Sequence, residues 1–252
     1  MRIEIVPIFA LLLALWAPGT GRGAEAVVPT PAPALVLSGC EPDYPPYCFF
    51  TGDGHARGFS VELFQAALQA VGRAAEFKTA PWAEIKQDLA EGRLQALPLV
   101  GRTPAREAIY DFTSPHLTMH GTLVVRDDNT KIRGLADLKG LQVAVLAGDN
   151  AEEYLRRVDP GAKIIARPSF ETALRELSAG KHDAVVIQKL LFFQLAQQAG
   201  LDNLRAVGPQ LFSQNFCFAV REGDRALLDT LNEWLSLAMA DGTFRRLYAK
   251  WF

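Results

Sequence analysis

The fold class of this chain is decided by residues 142–187, which read QVAVLAGDNAEEYLRRVDPGAKIIARPSFETALRELSAGKHDAVVI. Short apolar runs at 142–146, 163–166 and 184–187 have the length of buried strands. The two segments between them, 150–157 and 170–179, have the length and the amphipathic pattern of helices. This strand–helix–strand–helix–strand order predicts an α/β protein with an open sheet.

The same alternation extends from this stretch toward both ends of the chain. Further strands are predicted at 35–38, around Phe77, and at 96–100, 121–126 and 216–220. Further helices are predicted at 58–71, 82–91, 189–198, 226–240 and 244–251. In the helix at 226–240, one apolar stripe needs a core to pack against; it consists of Leu227, Leu231, Trp234, Leu235 and Ala238. We therefore expect two lobes, each with its own strand–helix–strand units.

Residues 1–26 have the features of a secretory signal peptide. Arg2 precedes an apolar run at 5–17, which is shorter than the about 20 residues that span a bilayer. Small residues at Ala24 and Ala26 predict cleavage after Ala26. Residues 27–34 then form a Pro/Ala-rich linker. A retained N-terminal membrane anchor, with this linker as its tether, is the alternative.

The three cysteines of the chain leave their pairing open. Cys40 and Cys48 flank a proline-containing segment and could form a disulfide in an exported protein, but buried thiols are an equal alternative; Cys217 stands apart. Cys40 also ends a Leu37-Ser38-Gly39-Cys40 sequence that looks like a lipoprotein-processing box. We expect no lipidation, because a Gly/Pro/Ala-rich segment separates this box from the apolar run.

The charge and the histidine pattern exclude several kinds of partner. The formal net charge is −2 and nothing indicates a basic surface for nucleic acid or an anionic membrane. The four histidines are scattered and no CxxC or HxxxH spacing occurs, so we expect neither a metal site nor a cofactor.

Several stretches resemble the type 3 family of bacterial extracellular solute-binding proteins. Residues 43–47 (DYPPY) with 58–63 (GFSVEL) are similar to the family's "YPPF … GFDVDL" opening, and 103–106 (TPAR) with 111–115 (DFTSP) are similar to its "TPER … FSxP" segment. Further matches lie at 82–92, 135–145, 180–184 and 241–252. Together the matches follow the family's order over nearly the whole chain after the linker.

This resemblance implies a two-lobed periplasmic binding protein type II fold. Lobe 1 is then discontinuous and contains residues 35–123 and 217–252, while lobe 2 contains 124–216. Two crossing strands, near 123–126 and 214–218, form the hinge about which the lobes close over a ligand.

Arg106 is the leading candidate for ligand binding. Its guanidinium matches a carboxylate bidentately, and in the family the arginine of this motif holds the ligand carboxylate. Tyr44 and Trp82 stand where the family places residues that sandwich the ligand's side chain. Asp149 and Asn150 begin a helix in lobe 2, in a loop that donates backbone N–H groups to the ligand in the family.

The sequence departs from the amino-acid-binding pattern in lobe 2. There the family has a carboxylate that accepts hydrogen bonds from the ligand ammonium, but this chain has Gln188 followed by Lys189. Gly101 stands where many relatives have a hydroxyl side chain. Glu41, in the first loop, could replace the missing ammonium partner.

We therefore expect a periplasmic binding protein, monomeric and without catalytic activity, that binds a small carboxylate-bearing solute for an ABC-type importer through an inner-membrane permease. A ligand-sensing module that acts with a sensor kinase is the alternative, because 187–195 and 214–220 resemble the sensor branch of the fold. A cyclohexadienyl dehydratase-like enzyme is a further alternative, with Glu41 or His116 as proton donor.

Overall fold

Twelve strands and eight α-helices form the part of the chain that the computed structural model describes, residues 34–252. The strands are β1 (Ala34–Cys40), β2 (Asp43–Tyr44), β3 (Cys48–Phe50), β4 (Ala56–Arg57), β5 (Arg73–Thr79), β6 (Ala96–Gly101), β7 (Tyr110–Phe112), β8 (Leu117–Arg126), β9 (Gln142–Leu146), β10 (Lys163–Arg167), β11 (Ala184–Gln188) and β12 (Leu204–Arg221). The helices are α1 (Phe59–Ala70), α2 (Trp82–Ala90), α3 (Pro104–Glu107), α4 (Asn150–Val158), α5 (Phe170–Ser178), α6 (Lys189–Ala199), α7 (Arg225–Ala240) and α8 (Thr243–Trp251).

One mixed sheet of nine strands runs through the described residues. Its order is β10-β9-β11-β8-β12-β6-β1-β5, with β7 paired to β12. The strands β1, β5 and β6 are mutually parallel and form the first half of the sheet, and β9, β10 and β11 are mutually parallel and form the second half. The antiparallel pair β8 and β12 joins the two halves. The α/β class predicted from the sequence is therefore confirmed.

Both predicted crossing segments, 123–126 and 214–218, lie within β8 and β12. These two strands pair with each other along most of the length of β8, and each also pairs with one half of the sheet. The pair is therefore placed where a two-strand hinge would be. The division into lobes at 35–123 with 217–252, and at 124–216, stays a prediction.

Strand β12 is much longer than the sequence predicts. Only 216–220 was expected to be extended, but the strand contains 18 residues. Gly208 and the polar residues near Gln214 hide it from a pattern-based prediction. Backbone hydrogen bonds with β8 override that local signal. The register shifts between Val207 and Phe212, in a stretch where Gly208 has a φ of +73°.

The core of the first half confirms the apolar stripe predicted for the helix at 226–240. Helices α1, α7 and α8 pack with β1, β6 and β12 in one apolar cluster, in which Leu231 of α7 and Phe64 of α1 are fully buried. Helix α1 ends at Ala70, one residue before the predicted end, and Val71 is 47% exposed. Fully burying each large apolar side chain contributes roughly 1.5–3 kcal/mol to stability.

In the second half, alternate residues of the central strands face opposite layers of helices. Val143 and Val186 pack in the cluster that contains α4, whereas Ala144 and Ile187 pack in the cluster that contains α5 and α6. The strands are therefore apolar on both faces, as a sheet covered on both sides requires.

The cysteine pairing left open by the sequence is decided by the fold. Cys40 at the end of β1 and Cys48 at the start of β3 form a disulfide, and Cys217 is a buried free thiol. The small sheet of β2, β3 and β4 that contains Cys48 was not predicted.

The predictions for the N-terminus concern residues outside the described part of the chain. The predicted signal peptide at 1–26 and all of the predicted linker at 27–34 except Ala34 fall there. Within residues 34–252, every helix is too short or too polar to cross a bilayer.

Candidate functional site

The carboxyl ends of two pairs of parallel strands, β1 with β6 and β9 with β11, converge on one site. Glu41 follows β1, Gly101 ends β6, Gly148 follows β9, and Gln188 ends β11. In open α/β sheets, ligands bind in the crevice outside the carboxyl ends of the strands. The topology therefore places residues from both halves of the sheet around the same crevice.

Arg106 is held at the centre of this crevice by the short helix α3. Thr103 caps α3 and accepts a hydrogen bond from the backbone N–H of Arg106 at 3.4 Å, while Pro104 fills the first helical turn without needing a donor. The arginine is only 4% exposed. The short helix that begins in the TPAR segment thus aims a buried cation into the site.

The guanidinium of Arg106 contacts both halves of the sheet. Its Nη1 donates to the carbonyl oxygen of Gly101 at 3.1 Å, and its Nη2 donates to that of Gly148 at 3.3 Å. Oε1 of Glu153, on α4, accepts from Nε at 2.9 Å and lies 2.8 Å from Nη2. The guanidinium also lies over the ring of Trp82, 5.4 Å from its centroid.

Three donors from the first half of the chain meet at the carbonyl oxygen of Gly148. Besides Arg106, these are Nε1 of Trp82 at 3.1 Å and Nζ of Lys86 at 2.5 Å, both on α2. Gly148 has a φ of +67°, a left-handed conformation that favours glycine, and a Cβ there would lie 2.6 Å from Nζ of Lys86. A side chain at position 148 would therefore be strained in this backbone conformation and would push the end of Lys86 aside.

Buried polar atoms at the site find no hydrogen-bond partner among residues 34–252. They are Oη of Tyr44, Nδ2 of Asn150, Oε2 of Glu153 and Oε1 of Gln188. Such atoms are costly to bury, at about 1–3 kcal/mol each, unless something satisfies them. Both donors and acceptors are present, so a ligand with both kinds of group would satisfy them.

Gly101 lets the two sides of the crevice approach each other. A Cβ at this position would lie 3.4 Å from Nδ2 of Asn150, 3.5 Å from Nη1 of Arg106 and 3.2 Å from Cγ of Gln214. The missing side chain therefore brings Asn150 close to Arg106, which is a reason for glycine independent of any ligand.

Burial changes the pKa values of three titratable groups at the site, Glu41, Asp149 and Lys86. Burial, reinforced by repulsion from Asp149, raises the pKa of Glu41 to about 8. Burial also raises the pKa of Asp149, although the carboxylate of this residue caps α4 by accepting from the N–H of Ala151 at 2.9 Å. Burial lowers the pKa of Lys86. Burial thus disfavours the charged form of all three groups in the ligand-free protein.

A cavity of about 80 Å³ borders the site. Its lining includes Glu41, Trp82, Leu146 and Phe170. The ring of Phe170 meets that of Tyr44 edge to face, with the centroids 6.2 Å apart. Aromatic rings from both halves of the chain therefore flank this space.

The structure brings all eight predicted site residues together. Arg106 contacts Gly101 and Trp82; the remaining five residues lie in the same cluster and are Glu41, Tyr44, Asp149, Asn150 and Gln188. That they bind a ligand stays a prediction.

Sequence reasoning missed Lys86, Gly148, Glu153 and Phe170. Phe170 and Gly148 could have been found from their places just after β10 and β9, at the carboxyl ends of the strands. Lys86 and Glu153 enter the site only through side chains that reach across from helices.

His116 lies apart from this cluster. Its ring packs on Phe218, with the centroids 4.6 Å apart, and its Nε2 lies 2.9 Å from Oγ of Ser60. Burial lowers the pKa of His116 to about 3. The residue is a poor proton donor for the crevice, because it is buried in the core and neutral.

Comparison with known proteins gives consistent similarities. The family model for bacterial extracellular solute-binding proteins, family 3, matches residues 36–252. The L-cystine-binding protein TcyJ of Escherichia coli (strain K12) is 31% identical over 220 residues, which cover 86% of this chain and 82% of TcyJ.

Two solved structures are similarly related to the chain. A histidine kinase sensor domain with similarity to periplasmic binding proteins has a TM-score of 0.84 and 31% identity, covering 88% of this chain and 97% of that one. An ancestral arginine-binding protein bound to arginine has a TM-score of 0.81 and 30% identity, covering 88% of this chain and 99% of that one.

Proposed function

The chain belongs to the bacterial extracellular solute-binding proteins of family 3, and on this premise we propose that it binds a small carboxylate-bearing solute, an amino acid or a close relative, around Arg106. The family membership and the periplasmic binding protein type II fold predicted from the sequence are confirmed. The ligand, the residues that bind it and the partner that receives it are proposals.

The observation that carries this proposal is the buried guanidinium of Arg106 among buried polar atoms. Arg106 is 4% exposed and contacts backbone carbonyls from both halves of the sheet. A planar guanidinium binds a carboxylate through two parallel hydrogen bonds, and burial strengthens such a pair. The ligand's carboxylate would replace acceptors that the protein now supplies itself.

Glu41 supports a cationic group on the same ligand. Its carboxyl keeps its proton near neutral pH, because burial and Asp149 raise the pKa to about 8. A ligand ammonium or guanidinium would return this carboxyl to its ionised form, and the resulting pair would be shielded from water. We therefore expect amino acids with a second cationic group to bind more tightly than acidic ones.

Ligand binding would act by closing the lobes. A ligand that contacts Arg106 from lobe 1 and Asn150 from lobe 2 binds the closed form more tightly than the open form, and so favours closure. The closed protein would then be recognised by an inner-membrane permease. Curated relatives of the chain are named as binding proteins, which supports binding without catalysis.

Calorimetry with a panel of amino acids and organic acids tests the proposal. We expect at least one amino acid to bind with micromolar affinity or better, and simple organic acids to bind more weakly. Absence of binding to every member of the panel would contradict the proposal. Turnover of prephenate by the purified protein would contradict the expectation that it is not an enzyme.

Sensing is a second candidate function, and one observation favours it. The similarity to a histidine kinase sensor domain, with a TM-score of 0.84, is as strong as the similarity to binding proteins. The gene neighbourhood discriminates between the two roles: genes for a permease and an ATPase favour transport, and genes for a kinase or a cyclase favour sensing.

Export is part of the same proposal. The family is one of extracellular proteins, and residues 1–26 are predicted to be a signal peptide. Mass spectrometry of the mature protein should find an N-terminus after Ala26. A diacylated Cys40 would contradict it.

A further inference from the structure

Glu153 occupies the edge of Arg106 that a ligand carboxylate would use. A single oxygen, Oε1, accepts from Nε at 2.9 Å and lies 2.8 Å from Nη2. The other oxygen, Oε2, is buried and finds no hydrogen-bond partner in the described part of the chain. The two residues are 47 positions apart, and Glu153 reaches Arg106 from α4 in the second half of the sheet.

The donors of Arg106 are almost all used within the protein. An arginine guanidinium has five N–H groups. Nε donates to Glu153, Nη2 donates to the carbonyl of Gly148 and lies 2.8 Å from Oε1 of Glu153, and Nη1 donates to the carbonyl of Gly101. A bidentate carboxylate needs two adjacent donors, so it can bind only after Glu153 or Gly148 has released its share.

Electrostatics makes Glu153 the group that must leave. A ligand carboxylate and the Glu153 carboxylate on the same guanidinium would repel each other, whereas the neutral carbonyl of Gly148 would not. The neighbouring acid Glu152 does not take part in this competition. Its carboxylate accepts from the N–H of Gly148 at 2.6 Å and from the guanidinium of Arg156, one turn further along α4.

We propose that Glu153 is an internal competitor for the ligand's carboxylate at Arg106 and thereby sets the affinity and selectivity of the site. This inference rests on the proposed function, in which Arg106 binds that carboxylate. In the ligand-free protein the Arg106–Glu153 pair ties the two halves of the sheet together. A carboxylate can then bind only to molecules in which this pair is open. The apparent affinity for the ligand is therefore reduced in proportion to the fraction of molecules with an open pair.

The opposite effect on affinity is expected if Glu153 only stabilises the closed form. If Glu153 kept its contact with Arg106 in the liganded form, loss of its charge would weaken ligand binding. If Glu153 competes, loss of its charge strengthens ligand binding and also lets the ligand-free protein open. The sign of the affinity change therefore distinguishes the two roles.

The test compares Glu153→Gln with Glu107→Gln in the full mature protein. Glu107 is next to Arg106 in sequence but pairs with Arg102 at the surface, so it is a matched control. L-Arginine and L-glutamine serve as probes in calorimetry at neutral pH, and small-angle scattering of the ligand-free proteins reports opening. Circular dichroism verifies the fold, and Glu153→Ala is a second variant because alanine is well tolerated within a helix.

We expect Glu153→Gln to bind the tighter of the two probes about tenfold more tightly than wild type, because a charge-assisted contact is removed from the competing state. The ligand-free variant should have a larger radius of gyration, and Glu107→Gln should match wild type in both measurements. Unchanged or weaker binding by Glu153→Gln would overturn the proposal.

The proposed function can fail separately. If wild type and both Glu153 variants bind neither probe, nor any other amino acid, the proposed function is wrong. In that case small-angle scattering still tests whether the Arg106–Glu153 pair holds the ligand-free protein closed. An unchanged radius of gyration in both Glu153 variants overturns this role, and an increased radius supports it.

Discussion

Gln188 donates through Nε2 to Oδ1 of Asn150 across 3.3 Å, and the two side chains are almost completely buried. Nδ2 of Asn150 and Oε1 of Gln188 remain without a hydrogen-bond partner within residues 34–252. This pair presents one donor and one acceptor to the crevice but no charge. An amide is a weaker partner for an ammonium than a carboxylate is, which gives position 188 a direct role in selectivity.

Gln188→Asp should therefore convert the site toward α-amino acids. We expect the affinity for L-arginine to rise about tenfold, because a buried carboxylate meets the ligand ammonium. Calorimetry with 5-guanidinopentanoic acid, which lacks the α-amine, provides the control ligand. An equal gain for both ligands would show that the ammonium does not lie beside residue 188.

Glu41 should make the protein less stable as the pH rises. The folded protein holds the proton of Glu41 up to about pH 8, while the unfolded chain releases it near the ordinary pKa of 4.5. The unfolded state thus binds fewer protons in this window, so Glu41 lowers stability progressively from about pH 4.5 to pH 8. Glu41→Gln should remove this loss.

Denaturant unfolding at several pH values measures the effect. The stability of Glu41→Gln relative to wild type should increase between pH 4.5 and pH 8, reach on the order of a few kcal/mol, and vanish at lower pH. Glu222→Gln, an exposed carboxyl in the turn after β12, should show no such trend. A stability difference independent of pH would contradict burial as the cause.

Much of the fold is predictable because its signals are local. The strands and helices of residues 142–187 follow from apolar runs separated by amphipathic segments, and the structure reproduces them to within one residue at each end. The long strand β12 is different, since its extended conformation depends on pairing with β8, about eighty residues earlier in the chain for Leu204 and Arg126. A local pattern contains no information on such a partner.

The residues of the site also divide into those with a local sequence signal and those that depend on tertiary contacts. Arg106 was predicted from the match of its segment to a family motif and from the chemistry of a guanidinium. Lys86 and Glu153 were missed, because nothing near either residue in sequence indicates that its side chain reaches Gly148 or Arg106. Their roles depend on how the two halves of the sheet meet, which only the tertiary structure specifies.

His116 should make the protein less stable in acid. Burial lowers its pKa to about 3, whereas the unfolded chain takes up the proton near the ordinary value of 6.5. The unfolded state binds more protons between these values, so stability falls as the pH decreases from about 6.5 to about 3. Unfolding midpoints of His116→Phe should depend less on pH in this range than those of wild type. If the unfolding midpoint of the variant falls equally steeply with decreasing pH, groups other than His116 cause the loss of stability in acid.

The disulfide between Cys40 and Cys48 should support the first wall of the crevice. It closes a short loop that contains Glu41 and Tyr44, and a loop of this length stabilises a protein by about 2–3 kcal/mol. The double variant Cys40→Ala/Cys48→Ala should lose that stability and bind its ligand more weakly. Reductant should lower the Tm of wild type toward that of the variant and leave the Tm of the variant unchanged. If reductant lowers the Tm of both proteins, the effect does not come from the Cys40–Cys48 disulfide.

The dissociation constant of Arg106→Ala for the tightest-binding amino acid of the panel tests the central claim most directly. Arg102→Ala is the control, because Arg102 pairs with Glu107 at the surface and its side chain is 45% exposed. We predict that Arg106→Ala binds about a hundredfold more weakly than wild type, since truncating one partner of a buried charge pair costs about 2–5 kcal/mol, and that Arg102→Ala binds normally. An affinity of the folded Arg106→Ala variant within about threefold of wild type, less than 1 kcal/mol, would contradict the assignment of Arg106 as the carboxylate anchor.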